Sequence, residues 1–117
     1  MQIRIKRVYE AYDIKDGIRV LVDRLWPRGL KKDSAKIDLW MKEIAPSGEL
    51  RKWFAHDPSK WNEFKKKYFA ELKVNKELCE ELKGKARNTL TLLYSAKDVE
   101  HNQASALKEF LDKNFKE

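Results

Sequence analysis

The segment DRLWPRG places Asp23, Arg24, Trp26 and Arg28 within six residues of one another. An arginine guanidinium presents a planar fork of donors that suits phosphate or carboxylate. An aspartate beside such arginines can orient one of them, or can act as a general base if its pKa is raised. Trp26 is either a stacking surface for a ligand or an anchor in the core. These residue types predict an anion-binding loop with a candidate proton acceptor.

A second polar segment supplies Ser95, Lys97 and Asp98. Ser95 and Asp98 have the spacing of an acidic capping box, which predicts a helix that begins near residue 99. A helix N-terminus carries free N–H groups and partial positive charge, so it attracts anions. Ser95 would add a hydroxyl donor and Lys97 a positive charge, unless the segment only caps the helix. His101 and Asn102 follow in the first turns, as further ligand-binding candidates.

Two histidines and one cysteine complete the reactive residues. His56, in WFAHDP, is a candidate catalytic acid or base, or a partner for a helix terminus. His56 and His101 lack metal-ligand spacing, and Cys79 has no cysteine or histidine motif beside it, so we expect no metal site and an inert thiol. With no glycine-rich nucleotide or phosphate loop, we also expect no cofactor.

Strands must position the two polar segments. Residues 3–9 and 18–25 predict two strands, and the Asp16-Gly17 turn signal lies between them. Because the link between these strands is short, we expect an antiparallel hairpin. The apolar run TLTLLY, residues 89–94, predicts the third strand.

Helices fill the rest of the chain. Apolar residues at positions 37, 40, 41 and 44 predict a helix that ends at Pro46, and Ser47 is the predicted N-cap of the next. Asp57-Pro58 predicts the start of another helix, a short one ends near Gly84, and the last runs from about Val99 to Phe115. We therefore expect a small α/β domain over residues 1–117. It is Rossmann-like, in two or three layers, with a short mixed sheet (the N-terminal hairpin plus a parallel strand) and four to five helices.

The predicted second and third strands are separated only by helices. A helical crossover makes two strands of one sheet parallel, so their carboxyl ends lie at the same edge. Ligands of open α/β sheets bind in the crevice outside that edge. The segment after residue 22 and the segment after residue 94 should therefore meet and form an anion-binding cleft.

Bulk composition limits the partners. The formal net charge is +7, which favours anionic partners without distinguishing a small ligand from nucleic acid. The apolar runs are too short to cross a bilayer, no secretory signal is visible, and an unpaired cysteine suits a reducing compartment. We expect no membrane partner and a cytoplasmic location; the oligomeric state stays open.

Three segments carry a resemblance to a known family. They are residues 19–30, RVLVDRLWPRGL; residues 49–64, ELRKWFAHDPSKWNEF; and residues 90–111, LTLLYSAKDVEHNQASALKEFL. The chain resembles the YeaO-like family, a bacterial and archaeal domain family of unknown function, over nearly its whole length. The resemblance implies a cytoplasmic α/β domain and no particular activity. Related longer proteins carry a cysteine motif where this chain has Tyr94-Ser95-Ala96-Lys97, so the resemblance also implies no thiol chemistry there.

The residues leave three functions open. The first is a small-molecule anion site, with Arg24, Arg28 and Lys97 holding a phosphorylated or nucleotide-like ligand. Whether such a site is also catalytic, through Asp23 or His56, stays undecided. The second is a nucleic-acid-binding module. Most of the tryptophans fall at helical core spacing and are predicted to be buried, which makes this the weaker alternative. The third is a protein-interaction domain without chemistry of its own.

Overall fold

A parallel β-sheet carries the fold. The structure, a computed structural model, describes residues 1–114 of the chain. The strands in that range are β1 (Gln2–Arg7), β2 (Ile18–Leu21), β3 (Leu39–Trp40) and β4 (Thr89–Tyr94). Their order in the sheet is β1-β4-β2-β3, and each pairing is parallel. Because β4 lies inside the sheet and is covered on both faces, its sequence is a continuous apolar run rather than an alternating one.

Helices connect the strands and cover the sheet. Within residues 1–114 they are α1 (Lys32–Ala35), α2 (Gly48–Phe54), α3 (Trp61–Val74), α4 (Lys76–Gly84) and α5 (Gln103–Asn114). Ser47 caps α2, since its side chain accepts a hydrogen bond from the amide of Leu50. Asp57 caps the 3-10 turn Pro58–Lys60 that leads into α3. The predicted α/β, Rossmann-like class is confirmed, and so are these two caps.

The core lies mainly on one face of the sheet. There the apolar side chains of β1, β2 and β4 pack against the helices, and Leu90, Leu92 and Val20 are fully buried. A smaller cluster on the other face joins Leu21 and Leu93 to two half-buried tryptophans, Trp26 after β2 and Trp40 in β3. With both faces covered, the polar residues that follow β2 and β4 are confined to the edge of the sheet.

The predicted antiparallel hairpin, and with it the mixed sheet, is wrong. In the described residues β4 lies between β1 and β2, and the link over residues 8–17 returns across the sheet. The Asp16 carboxylate accepts hydrogen bonds from Lys6 of β1 and Arg19 of β2. The hydroxyl of Thr91 in β4 donates to the Asp16 carbonyl at 2.7 Å. These contacts with three strands hold the link in place, and a local turn signal cannot reveal them.

The predicted helix through positions 37–44 is also wrong. A left-handed residue, Lys36, ends α1, and the chain then forms β3 and the 3-10 turn Lys42–Ile44. The amides of Asp38 and Met41 donate to carbonyls of β2 at 2.9 Å each. Pairing with the open edge of β2 therefore outweighs helical spacing in this short segment.

None of the helices in residues 1–114 combines the length and apolar character needed to cross a bilayer.

Candidate functional site

A cavity of about 780 Å³ opens at the carboxyl ends of β2 and β4. Its walls come from the segment after β2, from α2 and the residues around it, and from the segment that joins β4 to α5. Each of the predicted site residues lines it: Asp23, Arg24, Trp26, Arg28, His56, Ser95, Lys97, Asp98, His101 and Asn102. The structure thus brings together segments that are some 70 residues apart in the sequence.

Asp23 joins the two strand ends. It is 7% exposed, and one carboxylate oxygen accepts hydrogen bonds from the Ser95 amide at 3.1 Å and the Ser95 hydroxyl at 2.6 Å. The other oxygen accepts from the Gln103 side chain. Burial raises the pKa of Asp23, although these hydrogen bonds and the charge of Arg51 oppose the rise. The carboxylate therefore links the segments that follow β2 and β4 to the first residue of α5.

Arg24 and Trp26 are occupied by contacts within the fold. The Arg24 guanidinium donates to the carbonyl of Ala45 at 3.3 Å and to that of Pro46 at 3.1 Å. The Trp26 indole N–H donates to the Leu30 carbonyl at 2.8 Å, and its ring meets Trp40 edge-on at 5.4 Å. Arg24 therefore fixes the loop before α2, and Trp26 is packed against Trp40 of β3.

The predicted capping box of Ser95 and Asp98 is wrong. The Ser95 hydroxyl donates to Asp23, and Asp98 caps a separate turn by accepting from the amides of Glu100 and His101 at 2.9 Å each. These two amides, with the His101 ring, hold the pKa of Asp98 below its usual range. The Ser95 hydroxyl donates a charge-assisted hydrogen bond to a buried carboxylate instead of accepting from the amides of a helix N-terminus, and this bond determines the local structure.

Asn102 is the N-cap of the last helix. Its side-chain oxygen accepts from the Ser105 amide at 2.9 Å, and its amide group donates to the Asp98 carbonyl. α5 consequently begins at Gln103 rather than near residue 99. Phe115, where the helix was predicted to end, lies outside the described residues.

His101 is held by a carboxylate and an aromatic ring. Its Nδ1 lies 2.9 Å from an Asp98 oxygen, and its ring meets Trp61 edge-on at 5.3 Å. The carboxylate favours the tautomer with the proton on Nδ1, so Nε2 of the neutral ring is an acceptor.

Four positively charged side chains at the cavity have no hydrogen bond or ion pair within residues 1–114. They are Arg28, Arg51, Lys52 and Lys97, and all four are exposed. Arg28 follows β2, Arg51 and Lys52 lie on α2, and Lys97 follows β4. Three separate elements therefore present unpaired positive charge to a common space.

Three further residues that line the cavity, Arg51, Lys52 and Gln103, were not predicted from the sequence. The apolar face of α2 was visible in Leu50, Trp53 and Phe54, which leaves residues 51 and 52 on the polar face. That this face borders the cavity depends on how α2 packs against α3, for which the sequence holds no local signal. Gln103 follows the candidate pair His101 and Asn102, and chain proximity was its only signal.

His56 lies at the end of α2 in a strained backbone conformation. Both Ala55 and His56 have positive φ, 48° and 57°. Left-handed backbone disfavours side chains with a Cβ, and such positions cluster at functional sites. The exposed His56 side chain lines the cavity.

The described residues offer no group of three or more histidine, cysteine, aspartate or glutamate side chains placed to hold a metal ion. Cys79 is fully buried in α4, and burial raises the pKa of its thiol to about 11. The inert thiol predicted from the sequence agrees with that position, since the thiolate is the reactive form.

Comparison with known proteins places the chain in a family. The family described as "Inactive DUF488-N3 subclade" matches residues 2–117. The uncharacterized protein YeaO of Escherichia coli is 46% identical over 112 residues, which cover 95% of this chain and 97% of that protein. The uncharacterized protein Rv3073c of Mycobacterium tuberculosis is 40% identical over 111 residues, covering 95% of this chain and 94% of the relative. No solved structure matches the chain. The predicted YeaO-like resemblance is therefore confirmed, and the chain belongs to the inactive DUF488-N3 subclade.

Proposed function

We propose that this protein binds a small anion of the phosphate class in the cavity at the carboxyl ends of β2 and β4, without catalysing a reaction on it. The observation that carries the proposal is the set of unpaired positive side chains, Arg28, Arg51, Lys52 and Lys97, around one cavity.

Electrostatics supports an anion. Like charges that share a cavity repel one another, and a bound anion converts that repulsion into attraction. Asp23 and Asp98, the carboxylates among the described lining residues, already accept hydrogen bonds from their neighbours. Neither carboxylate forms an ion pair with the four cations, although the charge of Arg51 acts on Asp23. Arg28 and Arg51 supply forked donors, and Lys52 and Lys97 supply point charges that tolerate several ligand orientations.

The hydrogen bonding of Asp23 argues against catalysis. A general base needs an oxygen that can reach a substrate proton, whereas both oxygens of Asp23 accept from Ser95 or Gln103. The family is itself described as an inactive subclade. A binding role fits both observations.

A small ligand fits the surface better than single-stranded nucleic acid. Stacking of bases needs open aromatic faces. The tryptophans of this chain are half-buried, and lysines cover several of them: Lys67 lies 4.2 Å from the ring centre of Trp53 and Lys65 lies 5.7 Å from that of Trp61.

Isothermal titration calorimetry with inorganic pyrophosphate at low salt tests the proposal. We expect saturable binding that Arg28→Ala and Lys97→Ala each weaken about tenfold, the order of one charge-assisted hydrogen bond. Arg87→Ala is the matched control, because Arg87 is exposed, precedes β4 at the opposite edge of the sheet, and lies outside the cavity. Its affinity should equal that of the unsubstituted protein.

Three results would overturn the proposal. They are absence of binding, equal effects of Arg87→Ala and Arg28→Ala, and binding of an oligonucleotide at far lower concentration than pyrophosphate with a steep dependence on salt.

A further inference from the structure

We infer that the ligand is an organic phosphate with an apolar or aromatic body, of about the size of a nucleoside monophosphate, rather than a free inorganic anion. This inference rests on the anion-binding function proposed above and adds the second half of the ligand.

The cavity has an apolar wall as well as a charged one. Leu25, Trp26 and Pro27 line it from the loop after β2, and Phe54 and Phe64 line it from α2 and α3. Leu25 is 66% exposed, whereas Trp26 beside it is half-buried and Pro27 is buried. Cavities that bind organic ligands have mostly apolar walls with a few polar groups that fix orientation.

The volume points the same way. At about 780 Å³, the cavity lies in the upper part of the range that small organic ligands occupy, ~300–1,000 Å³. A phosphate ion on the cations would leave most of that space, including the apolar wall, in contact with water. An apolar ring attached to the phosphate would remove both its own surface and the apolar wall of the cavity from water.

A polar acceptor lies beside Asp23 in the wall of the cavity. Gln103 donates its side-chain amide to Asp23, and its side-chain oxygen accepts no hydrogen bond from the described residues. That oxygen can accept from an N–H or hydroxyl group of the ligand body. Positive charge, an apolar wall and a fixed acceptor together match the three parts of a nucleotide-like phosphate ester.

The probes are inorganic phosphate, ribose 5-phosphate and adenosine 5′-monophosphate, each titrated at low salt by calorimetry. We expect the adenosine compound to bind about tenfold more tightly than the other two, because it alone carries a ring that can pack against the apolar wall of the cavity. Leu25→Ser should weaken the adenosine compound about fivefold and leave inorganic phosphate unchanged. Val74→Ser is the control, since Val74 is 85% exposed and lies outside the cavity, and it should change neither affinity.

The outcomes separate this inference from the proposed function. If the three probes bind equally, or if Leu25→Ser lowers all affinities alike, the apolar half of the ligand is refuted while anion binding stands. If none of the three binds, the proposed function and this inference both fail.

Discussion

At the scale of single residues, two aspartates at the same cavity have opposite environments. Asp23 is buried, and desolvation raises its pKa in spite of the donors from Ser95 and Gln103. Asp98 lies nearer the surface, and the amides of His101 and Glu100 lower its pKa. The residue type is the same, but Asp23 links buried segments of the fold, whereas Asp98 caps a turn near the surface. Neither forms an ion pair with Arg28, Arg51, Lys52 or Lys97, although the charge of Arg51 acts on Asp23.

The raised pKa of Asp23 gives a testable dependence of stability on pH. A carboxyl group whose pKa is raised by folding contributes stability below its unfolded pKa, and that contribution is lost as the pH rises through the folded value. Asp23→Asn does not titrate, and its amide faces a donor where the carboxylate accepts. The variant should be less stable at neutral pH by about 1–3 kcal/mol.

Urea unfolding of both proteins between about pH 3 and pH 7 measures this effect, since the usual pKa of aspartate is about 3.9. The advantage of the unsubstituted protein over D23N should be largest at the acidic end and shrink as the pH rises. An advantage that grows with pH would show that the pKa of Asp23 is lowered instead.

At the scale of secondary-structure elements, local signals predicted elements but not their pairing. The apolar run of β4, the serine cap of α2 and the Asp-Pro start before α3 all depend on neighbours in the sequence, and they are present in the structure. The strand that pairs with β1 is β4, which lies some 85 residues further along the chain. The secondary structure of residues 37–44 is set by pairing with the free edge of β2. The spacing of apolar residues along the chain carries no information about such long-range contacts.

The candidate site could be predicted from the sequence only in part. Two segments after adjacent parallel strands must share an edge, so the meeting of the Asp23 and Ser95 segments follows from topology. The contribution of α2 does not follow, because it depends on side-chain packing between helices. Arg51 and Lys52 therefore enter only with the structure.

The start of β2 offers a test of the sheet arrangement. Gly17 has φ of 66°, and a Cβ built there would lie 2.3 Å from the carbonyl oxygen of Thr89 in β4. Gly17→Ala should lower the free energy of unfolding by about 3 kcal/mol, through left-handed strain together with overpacking.

Gly84→Ala is the matched control for that variant. A Cβ at Gly84 meets nothing within 4 Å, and alanine is the better helix former, so this variant should be neutral or slightly more stable in a chemical denaturation experiment. Equal stability of the two variants would contradict the close approach of the link to β4.

At the scale of the whole molecule, net charge does not locate the site. The excess of positive charge is +7, but many lysines lie along helices, where some pair with acidic residues or pack over aromatic rings. Lys65, for example, pairs with Glu109 at 3.2 Å. What distinguishes the cavity is positive charge without such partners, brought to one place by three elements. Salt should therefore weaken ligand binding, because these exposed charges are screened.

The most direct test of anion binding at this cavity is an NMR titration of the ¹⁵N-labelled protein with inorganic phosphate at low salt. We expect saturable shifts in the backbone amides of the non-proline residues that line the cavity within the ranges 23–28, 48–56 and 95–103. Amides of residues 14–18 and 85–89, at the opposite edge of the sheet, should stay unchanged. Shifts centred on that opposite edge, or spread evenly over the lysine-rich helices, would contradict anion binding at this cavity.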